Sequence, residues 1–286
     1  MWADHRGRAV LVTGGTRGIG LAAGLAFGRR GAHVTVTHKW ETSDEDAVRG
    51  TFVRAGAPEP DIVAADAACE DDVQRVLERV QARQGRLDAL VSNVAFGAVV
   101  RSPDDYSRRA LAATLDYSAW PLVSHTLRAR AVFGRPPRYV VGVSSEGVDS
   151  MHVGYDLVAA SKAVLETFCR YLHYRLRDEG ASVNVVRTRF VDTDSLAATF
   201  GDGFAAFLRR YEPDVLTPAD EVGEAIFGIC SGLMDALGGQ VLTVDRGAGL
   251  YENLSRLYQE RERHPITARR AAGETSLNRK ETIHDA

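Results

Sequence analysis

The chain of 286 residues is predicted to fold as one α/β domain, doubly wound around a seven-stranded parallel sheet. Two observations predict this. Apolar runs of strand length alternate with longer segments of helical period as far as about residue 245, and a glycine-rich turn follows the first run. Strands separated by helices of this size imply right-handed crossovers and a sheet covered on both faces.

Residues 9–13 (AVLVT) read as the first strand, followed by the glycine turn and a helix over 18–30. The second and third strands are 33–37 (HVTVT) and 61–65 (DIVAA), with a polar surface helix over 42–55 between them. In 71–84, Val73, Val76, Leu77 and Val80 share one face, which marks an amphipathic helix. The remaining strands are 87–92, 139–143, 182–186 and 240–244. Two stretches escape the alternation. Residues 194–211 mix apolar side chains with glycines and read as a lid over the substrate, while 251–286 are polar and read as an arm or frayed tail beyond a domain of 1–250.

Composition narrows the function classes. A net charge of −3 gives no reason to expect nucleic acid or an anionic membrane as partner. No apolar run reaches the roughly 18 residues of a spanning helix, and the charged start of the chain leads straight into a strand, so no signal peptide is expected. Cys69, Cys169 and Cys230 are widely spaced and without a CxxC pair, which suits buried thiols in the cytoplasm and no metal site. Only Lys39, Lys162 and Lys280 are lysines among 35 basic residues, so each is a candidate for a specific task.

The first strand runs into Thr13-Gly14-Gly15-Thr16-Arg17-Gly18-Ile19-Gly20. Glycines let the backbone approach a pyrophosphate, and the helix start offers free N–H groups and the positive end of a dipole. Gly14, Thr16, Arg17, Gly18, Ile19 and Gly20 are therefore assigned to a dinucleotide in a Rossmann-type domain. An acidic residue at the end of the second strand would read the ribose 2′-hydroxyl of NAD. Here that position is Thr37-His38-Lys39, and Arg17 stands in the turn, so a 2′-phosphate and hence NADPH is expected. Asp66, just past the third strand, is placed either to meet the adenine or to cap the next helix.

TGGTRGIG resembles the TGxxxGxG signature of the short-chain dehydrogenase/reductase family. Ser92-Asn93-Val94-Ala95 is similar to that family's NNAG element, and Val143-Ser144-Ser145 to its serine position. Gly239-Gln240 to Val244-Asp245 is similar to its closing GQxxxVDGG, so the resemblance spans about residues 6–250. It implies that Asn93 supports the cofactor and that Val191 and Thr193 lie at the nicotinamide, Thr193 holding the carboxamide. It also implies a homodimer or homotetramer paired through the helices after the fourth and fifth strands.

The usual Tyr-x-x-x-Lys element of that family is altered. Lys162 keeps the lysine context, but Val158 stands four residues earlier, and the nearest tyrosine is Tyr155, seven residues away. A seven-residue step on a helix returns to nearly the same face, so both side chains can serve one pocket. The longer spacing resembles the NADPH-dependent enoyl-[acyl-carrier-protein] reductases. That resemblance implies Tyr155, Lys162 and Ser145 as catalytic residues, Ser145 falling where another branch carries a second tyrosine. The activity it implies is reduction of an enoyl thioester bound to acyl carrier protein or coenzyme A, in a specialised pathway. A ketoreductase and a non-catalytic NADPH-binding sensor are the alternatives.

Further departures bear on the site. Asp116 takes the place of the asparagine on the fourth helix of the family, either to hold a relay water or to cap a turn. Arg187-Thr188-Arg189-Phe190 replaces the small-residue loop after the sixth strand, suggesting a reshaped pocket or one that reads an anionic group. The closing VDGG has become Val244-Asp245-Arg246-Gly247. His152 reads as a solvated loop residue, an acid–base role being the alternative. Phe200, Phe204, Phe207 and Leu208 read as an apolar lid. Arg209 and Arg210 read either as a contact for a phosphopantetheine phosphate or acidic carrier, or as a solvated helix face.

Overall fold

The computed structural model describes residues 4–39 and 44–250. The expected arm or tail, 251–286, lies outside the described residues. In chain order the structure has β1 (Ala9–Val12), α1 (Gly18–Gly28), β2 (His33–His38), α2 (Glu45–Arg54), β3 (Asp61–Ala64), α3 (Glu70–Gln84) and β4 (Ala89–Ser92). There follow α4 (Arg108–Ser118), α5 (Trp120–Phe133), β5 (Tyr139–Ser145), α6 (Asp156–Leu176), β6 (Ser182–Thr188) and β7 (Phe190–Asp192). The chain closes with α7 (Asp194–Phe200), α8 (Asp202–Tyr211), β8 (Leu216–Pro218), α9 (Ala219–Cys230) and β9 (Val241–Val244).

Seven strands form one parallel sheet in the order β3-β2-β1-β4-β5-β6-β9. The order reverses between β1 and β4, and ligands of open α/β sheets bind at such a switch point, beyond the carboxyl ends of the strands. One face is covered by α1, α2 and α9, with Phe27, Phe52 and Ile226 among the buried side chains. The other is covered by α3, α5 and α6, with Leu77, Leu122 and Leu165.

Local chemistry explains the element ends. Val73, Val76, Leu77 and Val80 of α3 are all buried, as their spacing requires, and Gly85 closes that helix at φ +66°. Asp44 caps α2 by accepting from the Ala47 N–H. The chain breaks between α4 and α5 at Ala119, just before Pro121, whose ring cannot continue a preceding helix.

The segment after β6 differs from the sequence expectation. It is not a loop: β6 continues to Thr188, and Phe190–Asp192 pairs in parallel with Leu216–Pro218 as a second, two-stranded sheet. Three-residue strands carry too little pattern to be read from sequence. This small sheet, with α7 and α8, encloses its own apolar cluster of Phe190, Leu196, Ala205, Leu208, Val215, Leu216 and Ala248. Arg246 adopts φ +56°, a conformation that the glycine of VDGG takes without strain. Its guanidinium is held by Glu221, and the N–H groups of Gly247 and Gly249 donate to Asp245.

Candidate active site

A cavity of about 530 Å³ opens at the switch point, from the glycine turn at one end to the lid at the other. Gly14, Thr16, Arg17, Gly18, Ile19, His38, Lys39, Asn93, Ser145, Tyr155, Lys162, Val191 and Thr193 all border it. Of the residues assigned from sequence to catalysis or to the cofactor, Gly20 and Asp66 do not. A Cβ on Gly20 would come within 2.3 Å of the Gly14 carbonyl oxygen and 2.6 Å of Asn93 Nδ2, so this glycine lets α1 press against the turn from behind. Asn93 locks the same turn from β4, its Nδ2 donating to the carbonyls of Thr13 at 3.1 Å and Gly14 at 3.0 Å.

Within the turn, the Gly14 and Gly15 N–H groups donate to Thr37 at the end of β2. Gly18 has φ +54°, and a Cβ there would lie 3.3 Å from Thr193 Cγ2, so the start of α1 faces Thr193 across a narrow cradle. Arg17, the residue before α1, is exposed, and among the described residues its side chain makes no hydrogen bond or ion pair. A helix N-terminus and an unneutralised guanidinium together suit a phosphate group.

At the end of β2, Lys39 Nζ lies 2.7 Å from Asp66 and also donates to the Tyr117 hydroxyl, 4.5 Å above that ring. Hydrogen bonding to Asp66, then to Tyr117, raises the lysine pKa. Asp66 also accepts from the Ala68 N–H at 3.0 Å, which ties down its own turn. The helix-capping role is not what the structure shows: Cys69 is the residue before α3, and Asp66 instead closes its own turn and pairs with Lys39. His38 is turned to Glu45 at 3.2 Å. Nothing in the sequence marks Tyr117, whose neighbour Asp116 stands at the family's asparagine position. Asp116 is exposed and off the cavity, whereas Tyr117 borders it.

The other end carries the ionisable groups. Lys162 on α6 is 4% exposed, donates to the Val143 carbonyl at 2.8 Å, and has its pKa lowered to about 8 by burial, partly offset by Glu166. Tyr155 is not on α6 but is the residue just before it, so the seven-residue step begins at the helix cap. Its ring lies against Gly147, where a Cβ would come within 2.6 Å of the ring carbons, and it stacks on Phe200 at 5.7 Å. Burial raises its pKa, against an opposing hydrogen bond from Ser145. Val158 packs on Gly97 so closely that a Cβ there would sit 2.1 Å from Val158 Cγ2. The place of the usual tyrosine is thus filled by an apolar contact.

Several expectations change. His152 is not solvated: its Nε2 is 3.2 Å from Glu146, and its ring lies edge-on to Tyr155, Phe190 and Phe200. Arg187 does not read an anionic group in the cavity, because Glu166 and Asp149 engage it. Arg189 does border the cavity, held by Glu146 at 3.0 Å and by the Ala248 carbonyl at 2.8 Å. Arg209 is paired with Asp192 and Arg210 lies over Tyr211, which favours the solvated helix face. In the lid, Phe200 borders the cavity, Phe204 packs on Phe200 and Phe190, and Phe207 packs on Tyr211.

Comparisons with known proteins agree with this architecture. A family model described as enoyl-(acyl carrier protein) reductase matches residues 14–249. The chain is 30% identical over 194 residues to 1-cyclohexenylcarbonyl-CoA reductase of Streptomyces collinus, covering 68% of each chain. It is also 30% identical over 251 residues to the 3-oxoacyl-[acyl-carrier-protein] reductase MabA of Mycobacterium tuberculosis, covering 85% of this chain and 93% of that one. A short-chain dehydrogenase from Burkholderia cenocepacia, solved in complex with NADP, superposes with a TM-score of 0.74 at 28% identity, over 85% of this chain and 98% of that one. With the glycine turn, the switch-point cavity and the lysine on α6 in place, the chain belongs to the short-chain dehydrogenase/reductase family and is an oxidoreductase.

Proposed function

We propose that the protein is an NADPH-dependent reductase of the carbon–carbon double bond of an enoyl thioester, carried on acyl carrier protein or coenzyme A. The observation that carries this reading is the pair Tyr155 and Val158. The position four residues before Lys162 holds a valine packed on Gly97, and among the described residues the phenol near the reacting end comes from the turn before α6. Burial keeps that phenol protonated, which suits a hydrogen-bond donor better than a proton-transferring acid. The family model and the Streptomyces reductase support the same direction.

The residues present fit a dinucleotide. The glycine turn and the start of α1 would take the pyrophosphate, Arg17 and Lys39 the 2′-phosphate, Lys162 the nicotinamide ribose, and Val191 with Thr193 the carboxamide. The chemistry that NADPH would supply when held there is a hydride for the β-carbon of the substrate. Tyr155 donates a hydrogen bond to the thioester oxygen as negative charge grows there, and a donor so placed contributes about 3 to 4 kcal/mol. The Lys162 ammonium adds a second favourable field, strengthened because the apolar side chains of Val158, Leu196 and Phe200 limit water in the cavity. Ser145 orients the Tyr155 hydroxyl.

A second reading, ketone reduction, is favoured by Ser145 and Tyr155 bordering the same cavity and by the similarity to the mycobacterial 3-oxoacyl reductase. NADPH oxidation with crotonyl-CoA, a cyclohexenylcarbonyl thioester, acetoacetyl-CoA and a polycyclic ketone separates the two. Turnover of the unsaturated thioesters is expected; turnover of ketones alone overturns the proposal, and tight NADPH binding without any turnover favours a sensor.

A homodimer or homotetramer is proposed as the working form. Leu111 of α4, Trp120 and Leu127 of α5, and Val164, Tyr171 and Tyr174 of α6 are exposed on the helices that follow β4 and β5.

A further inference from the structure

Lys162 and Glu166 stand four residues apart on α6, the spacing at which a lysine and a glutamate pair along a helix. Among the described residues they form no salt bridge. The ammonium donates to the Val143 carbonyl, and both carboxylate oxygens are engaged elsewhere. Glu166 Oε1 accepts from Ser144 Oγ at 2.8 Å and from Arg187 Nε at 2.9 Å, while Oε2 accepts from Arg187 Nη2 at 2.7 Å. Glu166 is 3% exposed, so it has no solvent to turn to if these donors are lost. Arg187 comes from β6, where the family pattern has a small residue, and its remaining arm contacts Asp149 after β5.

We propose that Arg187 is a positioning residue that holds the Glu166 carboxylate away from Lys162 and leaves the ammonium directed into the cavity. The proposal rests on the reading of Lys162 as the ligand of the nicotinamide ribose. A buried carboxylate stripped of its bidentate partner is strongly destabilised, and Lys162, one turn away on the same helix, is a cation it can reach. Capturing Lys162 relieves that carboxylate and withdraws the ammonium from the cavity.

The charged or titratable groups around Lys162 are Glu166 on α6, Arg187 on β6, Tyr155 ahead of α6, and Glu146, Asp149 and His152 in the turn after β5. Of these, only Glu166 acts on the lysine directly. Loss of Arg187 therefore strengthens the pull of Glu166, and the lysine gives up its proton at a higher pH.

The test is NADPH affinity, measured by fluorescence titration from pH 6 to 10, for the wild type, Lys162→Met, Arg187→Met, Arg187→Gln and the double variant Arg187→Met/Glu166→Gln. Arg187→Met is expected to weaken binding about tenfold and to move its alkaline limb upward. The double variant, which no longer carries the competing carboxylate, is expected to return to within about threefold of the wild type and to restore the limb. If Arg187→Met does not fold, Arg187→Gln is expected to fall between the wild type and Lys162→Met. Unchanged binding in both Arg187 variants, with weakened binding in Lys162→Met, overturns the proposal alone. A loss that persists in the double variant also overturns it, because Arg187 then acts through packing. Unchanged binding in Lys162→Met overturns the reading of Lys162 beneath it.

Discussion

At the residue scale, Lys162 combines a cost to the fold with a benefit to the site. An ordinary lysine releases its proton near 10.4, and this one near 8, so the folded state disfavours its charge by roughly 3 kcal/mol. The sign follows from proton counting. Between about 8 and 10.4 the unfolded chain holds more protons than the folded one, so stability rises with pH across that window; below it the full cost applies. Lys162→Met is therefore expected to melt several degrees higher than the wild type at pH 7, while losing NADPH affinity. Binding by the wild type should fall as pH rises through about 8. A melting temperature lower than the wild type at pH 7 would contradict the assigned cost. Lys39 makes a separate prediction. Its removal should lower the preference for NADPH over NADH about tenfold, the scale of one charge-assisted hydrogen bond; an unchanged ratio of the two dissociation constants would remove it from the 2′-phosphate site. Both lysines were legible because lysine is so scarce in this chain. Glu166 and Tyr117 were not, and Arg187 stood out only as a departure from the family pattern, since the roles of all three come from β5, β6 and α4 meeting in space.

At the element scale, the glycine turn and α1 act as one unit. Gly20 has no free direction for a Cβ, with the Gly14 carbonyl 2.3 Å from where it would lie. Gly20→Ala should push α1 off the turn, destabilising the protein by about 1 to 3 kcal/mol in urea denaturation. A stability equal to the wild type would mean that the turn has more play than its packing indicates. The strands of the main sheet were legible from their apolar runs to within two residues at most ends. The exceptions are instructive: β7 and β8 are three residues each and belong to the lid, and His152 looks solvated in sequence because the aromatic rings around it come from β7 and α7. Tyr155 was legible as a candidate by its distance from Lys162, but not as a helix cap.

For the whole molecule, the sheet places the nucleotide cradle and the reacting end at one edge, and the lid cluster closes that edge from above. The exposed aromatic and aliphatic side chains of α4, α5 and α6 lie apart from the cavity, so pairing through those helices leaves its mouth open. Light scattering on the full chain should give a mass at least twice 31.1 kDa, and Trp120→Glu with Tyr171→Glu should reduce it to that of the monomer; a wild-type monomer would contradict this. The central claim concerns where hydride lands. NADPH deuterated at the transferred position, given to the enzyme with a thioester that carries both a conjugated double bond and a ketone, reports this by NMR of the product. Deuterium on the β-carbon, with the rate lowered at least about tenfold in Tyr155→Phe, is the expected result. Deuterium on a carbinol carbon, with the double bond intact, would contradict it.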